Sequence, residues 1–214
     1  MEAPDAVRLH AAAARLPATG EAFFMSAELL LGPEEIARTL RRLAHEILEN
    51  NQGPAGLVFA GILSRGYPLA VRLAEAIERF EGVRVPVGKL DIGLYRDDVA
   101  RRATPTPIRP SAMPTSIDDA TVVLVDDVLF TGRSVRAALE ALSDYGRPAK
   151  VRLAVLVDRG HRELPIRPDF VGKNLPTALP HQIRVRLTEL DGEDGIYLER
   201  FEAAPTRAEG ANDA

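Results

Sequence analysis

Apolar positions recur along this chain first at helical spacing and then in short continuous runs. Their succession predicts an α/β domain with a largely parallel central sheet flanked by helices. A helix starts at Gly32-Pro33-Glu34-Glu35, where proline and acids suit an N-terminus, and runs to about Asn50. At about 100° per residue, its Ile36, Leu40, Leu43 and Ile47 share one side and Arg38, Arg41, Arg42 and His45 the other. Leu57 to Ile62 has the length of a buried strand, and Tyr67 to Phe80 returns to helical spacing. Val83 to Ile92 predicts another strand, after which Pro105, Pro107, Pro110 and Pro114 forbid regular structure. A long loop of this kind in a compact domain is usually functional and could close over a ligand. Thr121 to Val125 predicts a strand, Ser134 to Tyr145 a helix ended by Gly146, and Val151 to Val157 a further central strand. Ile183 to Leu187 and Gly195 to Glu199, around the acidic turn Asp191-Gly192-Glu193-Asp194, predict a late antiparallel hairpin.

The ends fall outside this pattern. Residues 1–27 are expected to form a flexible extension, 28–202 the domain, and 203–214 a disordered tail with too little apolar content to pack. Asp5, Arg8, His10 and Arg15 interrupt the stretch where a secretory signal needs a continuous apolar run. No run approaches the roughly 20 apolar residues of a membrane span, so no membrane partner is expected. The absence of cysteine excludes disulfides, thiolate nucleophiles and thiolate metal sites, and fits a reducing cytoplasm. A net charge of −4 provides no bulk attraction for nucleic acid, so any such binding needs a local basic patch.

The most informative string is Val122-Val123-Leu124-Val125-Asp126-Asp127-Val128-Leu129-Phe130-Thr131-Gly132-Arg133-Ser134. A buried strand delivers two carboxylates, able to accept from both hydroxyls of a ribose, to the sheet edge where α/β folds bind ligands. Phe130 to Ser134 then turns into a helix whose free amides and dipole suit a 5′-phosphate, with hydroxyls from Thr131 and Ser134. Gly132 allows close backbone approach, and a bulkier residue is expected to obstruct the phosphate. An acidic pair before a helix usually only caps it, but this whole thirteen-residue order resembles the phosphoribosyl pyrophosphate signature of type I phosphoribosyltransferases.

Further strings resemble one branch, the bifunctional pyrimidine operon attenuator and uracil phosphoribosyltransferase (PyrR) family. Leu90-Asp91-Ile92-Gly93-Leu94-Tyr95-Arg96-Asp97-Asp98 is similar to its mobile-loop segment, with Gly93 where relatives carry threonine. Asp158-Arg159-Gly160-His161-Arg162-Glu163-Leu164-Pro165-Ile166-Arg167-Pro168-Asp169 and Val171-Gly172-Lys173-Asn174 are similar to a stretch of this branch. The resemblance, covering about Leu31 to Glu199, implies the type I phosphoribosyltransferase fold with a small hood and a mobile loop. It implies that Ser64-Arg65-Gly66 is the pyrophosphate loop, Arg65 pairing with the leaving group, and that Arg96 and Asp97 begin the loop that covers the substrate. Asp126 and Asp127 would hold the ribose, and Val128 to Ser134 the phosphate. Val157, Asp158 and Arg159 would flank the base, with no choice among them from sequence and no aromatic ring on that strand end.

The implied reaction converts uracil and phosphoribosyl pyrophosphate to UMP and pyrophosphate, with Mg2+ held mainly by substrate and no metal ligand assigned with certainty. The family also binds a messenger RNA leader under control of UMP and UTP, attenuating transcription. His45, Arg162, Arg167 and Lys173, with Arg38 and Arg41 of the helix face, are the expected RNA contacts, although an arginine-bearing helix face is usually just solvated. Relatives form dimers or larger homo-oligomers. The alternatives are a purine-type phosphoribosyltransferase and a non-catalytic, nucleotide-sensing RNA-binding regulator.

Overall fold

The apolar runs assemble into one sheet in the computed structural model, which describes residues 23–95 and 110–203. Strands β2 (Leu57–Ile62), β3 (Val87–Leu90), β4 (Thr121–Leu129), β5 (Lys150–Asp158) and β6 (Phe170–Asn174) lie in the order β3-β2-β4-β5-β6, all parallel. Alternate residues of β4 face opposite layers. Val123 and Val125 pack with Ile36, Leu43 and Ile47 of α1 (Pro33–Asn51) and Leu69, Leu73 and Ile77 of α2 (Gly66–Glu81). Val122 and Leu124 pack with Val135, Ala138 and Leu142 of α3 (Arg133–Leu142). Cover on both faces is why these strands read as unbroken apolar runs. The first turn of α1 is closed by Glu35, whose Oε2 accepts from the Gly32 N–H at 3.1 Å.

A second, antiparallel sheet of order β1-β8-β7 forms the hood. It comprises β1 (Phe23–Leu31), β7 (Gln182–Arg186) and β8 (Gly195–Ala203), with the short helix α4 (Thr188–Asp191) in the acidic turn. The fold class and the late hairpin are as the sequence predicts.

Four boundaries differ. Strand β1 begins at Phe23, inside the expected extension 1–27, and β8 ends at Ala203, inside the expected tail. The partner of β1 lies at the other end of the chain, so no local signal marks it. Strand β3 is shorter than Val83 to Ile92, and β4 runs past Val125 through both aspartates to Leu129, because Asp126, Val128 and Leu129 continue the ladder with Val155, Val157 and Asp158. Strand β6 was not expected. Residues 1–22, 96–109 and 204–214 lie outside the described residues, and with them most of the extension and tail, Arg96 and Asp97. Among the described residues, no helix is long and apolar enough to cross a membrane.

Candidate active site

The C-terminal edge of the sheet gathers Ser64, Arg65, Asp126, Asp127, Val128 and Ser134 around a cavity of about 180 Å³. These residues come from three segments. Ser64 and Arg65 follow β2, after a cis peptide at Leu63-Ser64, and the chain then enters α2 at Gly66. A Cβ on Gly66 would stand 2.2 Å from the Val125 carbonyl oxygen, so only glycine lets the start of α2 lie against β4 just before the carboxylates.

Asp126 Oδ1 accepts from the Asp127 N–H, and Asp127 Oδ1 from the Val128 N–H, both at 2.9 Å. Burial pushes the Asp127 carboxyl up from its ordinary value, partly offset by these hydrogen bonds and by the charge of nearby Arg65.

Thr131 and Gly132 turn the chain into α3. Gly132 has φ +93°, a region that disfavours side chains. A Cβ there would meet Ile166 and Leu164 at 3.3 and 3.4 Å, a tight contact that gives this glycine a packing reason as well. Segment 162–166 thus braces the turn. Glu163 and Leu164 donate backbone N–H groups to the Thr131 carbonyl, and the Glu163 carboxylate accepts from Arg133 at 2.7 Å.

At the end of β5, Val157 is buried between its ladder partners Val128 and Lys173. The Asp158 carboxylate accepts from the Gly160 N–H at 2.9 Å and from Arg162 at 2.5 Å. Arg159 differs from both. It is 5% exposed, lies 4.0 Å over the Phe130 ring, and its buried Nε and Nη2 have no hydrogen-bond partner among the described residues. Burial lowers its pKa. Phe130, arriving from β4, thus brings to this strand end the aromatic ring that β5 itself lacks, with Arg159 covering it. His161 meets the same ring edge-on, at 6.1 Å, and its Nε2 lies 2.5 Å from the Thr177 carbonyl oxygen.

The expected RNA contacts separate. Arg38, Arg41 and His45 of α1 are exposed, as are Arg167 and Lys173. The His45 ring stacks on Phe80 with centroids 4.0 Å apart. Arg42 fixes α1 beside β6, donating to the Val171 and Gly172 carbonyls at 2.8 and 2.7 Å, so Lys173 sits next to the α1 arginine face. Arg162 is the most internally engaged of them: its guanidinium donates to the carbonyls of Ile166 and Phe130 and to the Asp158 carboxylate, at 3.1, 2.9 and 2.5 Å, and so braces the loop.

The acidic turn of the hood, read from sequence only as a hairpin connection, reaches the site. Arg72 of α2 binds Glu189 at 2.6 Å and Asp194 at 2.7 Å, holding the Asp194 carboxyl down at about 2. Arg65 donates to Asp191 at 2.8 Å. Their separation from α2 of more than a hundred residues hid these pairs.

Comparison with known proteins matches residues 27–190 to the phosphoribosyl transferase domain. The chain is 58% identical to the "Bifunctional protein PyrR" of Chloroflexus aurantiacus over 174 residues, covering 81% of this chain and 96% of the relative. It is 54% identical to the protein of the same name from Thermus thermophilus, covering 83% and 98%. Among solved structures, the hypoxanthine phosphoribosyltransferase of Trypanosoma cruzi aligns with a TM-score of 0.62 at 20% identity, over 82% of this chain and 97% of the other. That likeness establishes the fold alone. The chain belongs to the phosphoribosyl transferase domain family and, within it, to the bifunctional PyrR proteins.

Proposed function

We propose that this protein is a uracil phosphoribosyltransferase, joining uracil to phosphoribosyl pyrophosphate to give UMP and pyrophosphate, and that it also regulates pyrimidine biosynthesis genes by binding a messenger RNA leader under control of uridine nucleotides. The observation that carries the enzymatic reading is the cavity in which Asp126 and Asp127 face the Ser64-Arg65 turn, with Ser134 of α3 on the rim.

In this reading, the bond from ribose C1 to the pyrophosphate oxygen breaks, uracil N1 bonds to that carbon, and the N1 proton leaves to solvent. Asp126 and Asp127 accept from the ribose hydroxyls, and the α3 N-terminus, with Thr131 and Ser134, holds the 5′-phosphate. Arg65 with Ser64 and Gly66 receives the departing pyrophosphate. No covalent nucleophile is required, and the chain acts by positioning and by electrostatic stabilisation. Paired carboxylate oxygens are hard donors that fit Mg2+, and among the described residues no third acidic, histidine or cysteine group joins them, so substrate oxygens would complete the shell. A bound Mg2+ would neutralise charge on the leaving group. Arg159, with buried donors lacking a partner, is the residue of this strand end best suited to a uracil carbonyl.

The regulatory reading draws on the exposed α1 and β6 face, with Arg38, Arg41, His45 and Lys173, and on Arg167 just before β6. We read the protein as a cytoplasmic homo-oligomer. RNA affinity is expected to fall steeply with salt, and an Arg41→Ala/Lys173→Ala chain that binds as tightly as the native one would remove these contacts.

The deciding assay is UMP formation from uracil and phosphoribosyl pyrophosphate with Mg2+, with hypoxanthine and guanine as competing bases. Turnover restricted to uracil is expected. Turnover on purines would favour a purine-type enzyme, and nucleotide binding without turnover a purely regulatory protein.

A further inference from the structure

Arg65 is engaged within the protein. Its Nη2 donates to Asp191 Oδ1 at 2.8 Å, while its buried Nε has no hydrogen-bond partner among the described residues. Asp191 does not depend on Arg65 for its place, because its other oxygen, Oδ2, accepts from the Leu187 N–H at 2.9 Å. Its turn is tied separately to α2, Glu189 and Asp194 both binding Arg72. Fixed in this way, the carboxylate keeps its place in the hood turn wherever the arginine goes.

We propose that Asp191 is an internal stand-in for a pyrophosphoryl group: it occupies Arg65 until a ligand bearing that group displaces it, and so sets selectivity between pyrophosphate-bearing ligands and those with only a 5′-phosphate. The inference rests on the assignment of Arg65 to the leaving group. A buried N–H without an acceptor is unfavourable, and pyrophosphate oxygens at the Ser64 side of the cavity would draw the guanidinium away from this position. An anion bound by Arg65 also meets the charge of Asp191, which lies 2.8 Å from the same guanidinium. A 5′-monophosphate seated on the α3 N-terminus at Ser134 contacts β4 and α3 instead of the β2–α2 turn, and leaves the Arg65–Asp191 pair intact.

The test is calorimetric titration of the full chain, with Mg2+, using inorganic pyrophosphate, phosphoribosyl pyrophosphate and UMP. Asp191→Asn keeps an oxygen for the Leu187 N–H and is expected to tighten both pyrophosphate-bearing ligands by about threefold to tenfold, leaving UMP within about twofold. Glu189→Gln removes an equal charge from the same turn, but from a partner of Arg72, and is expected to change none of the three. Unchanged or weaker pyrophosphate binding by Asp191→Asn overturns the proposal, as does equal tightening of UMP or equal tightening by Glu189→Gln. Should Asp191→Asn not fold, Asp191→Ser is read by the same criteria. A native chain that neither binds pyrophosphate nor forms UMP removes the Arg65 assignment itself, whereas native binding with an unaltered variant removes only this inference.

Discussion

The ends of β4 and β5 lie side by side on one sheet edge and are built in opposite ways. At β4 a single short stretch supplies the carboxylates, the turn and the helix start, so the proposed seat for ribose and phosphate is one that the local sequence specifies. At β5 the candidate base seat is assembled from parts. Arg159 lies on Phe130, which arrives from β4, while His161 contacts the same ring and Thr177, beyond β6. A contiguous site tolerates change elsewhere in the fold, whereas an assembled one depends on the segments that hold its parts.

The sharpest division between the halves comes from Asp126→Asn/Asp127→Asn. UMP formation is expected to fall about 10²–10³-fold, measured as kcat, because the variant removes charge aimed at the reacting sugar. Pyrophosphate binding, which we assign to Arg65, is expected to persist. Thermal stability should not fall at neutral pH. Because burial raises the Asp127 pKa, its contribution to stability is present at low pH and is lost as pH rises through the folded-state value. The variant should lack that loss in pH-dependent melts, and a marked drop in its Tm would show that the charges serve the fold.

The same contrast decides what could be read from the sequence. The β4 half was legible because strand, acidic pair and helix start follow one another, and the parallel order followed from unbroken apolar runs such as Val122 to Val125. Arg65 was recognisable by resemblance, but Asp191 was not visible as its partner, since nothing in an acidic turn names an arginine 126 residues away. Strand β1 was missed because Phe23–Leu31 is defined by pairing with β8. The bracing role of Arg162 was not visible, because its charge is evident in sequence and its internal acceptors are not. At the end of β5, sequence offered Val157, Asp158 and Arg159 equally. Only the fold separates them, burying the first and bonding the second to its own loop.

Arg159→Met sharpens the β5 side. Methionine keeps length and can still pack on Phe130, but it has no donor for a carbonyl oxygen. The KM for uracil is expected to rise about tenfold to a hundredfold, in the range of a hydrogen bond from a charged group, with the KM for phosphoribosyl pyrophosphate within about twofold. If instead the KM for phosphoribosyl pyrophosphate rises and that for uracil does not, Arg159 serves the other half.

Arg162→Ala breaks the comparison, because this side chain joins the two halves. Its guanidinium links the Phe130 carbonyl at the end of β4 to the Asp158 carboxylate at the end of β5, and Ile166, which packs on Gly132, gives it a third acceptor. Removing it leaves Asp158 without its cation and loosens segment 162–166 from the turn between β4 and α3. The expected cost is about 1–3 kcal/mol, discounted because the pair is partly solvated. Kinetically, both KM values should rise together, by about threefold to tenfold, with a smaller change in kcat, unlike either preceding variant. RNA binding supplies the control. An arginine touching a phosphate lowers the slope of log affinity against log salt by about one when removed, so Arg162→Ala should leave that slope as in the native chain while Arg41→Ala reduces it. A reduced slope in Arg162→Ala with both KM values unchanged would place Arg162 on the RNA surface and leave the two halves of the site independent.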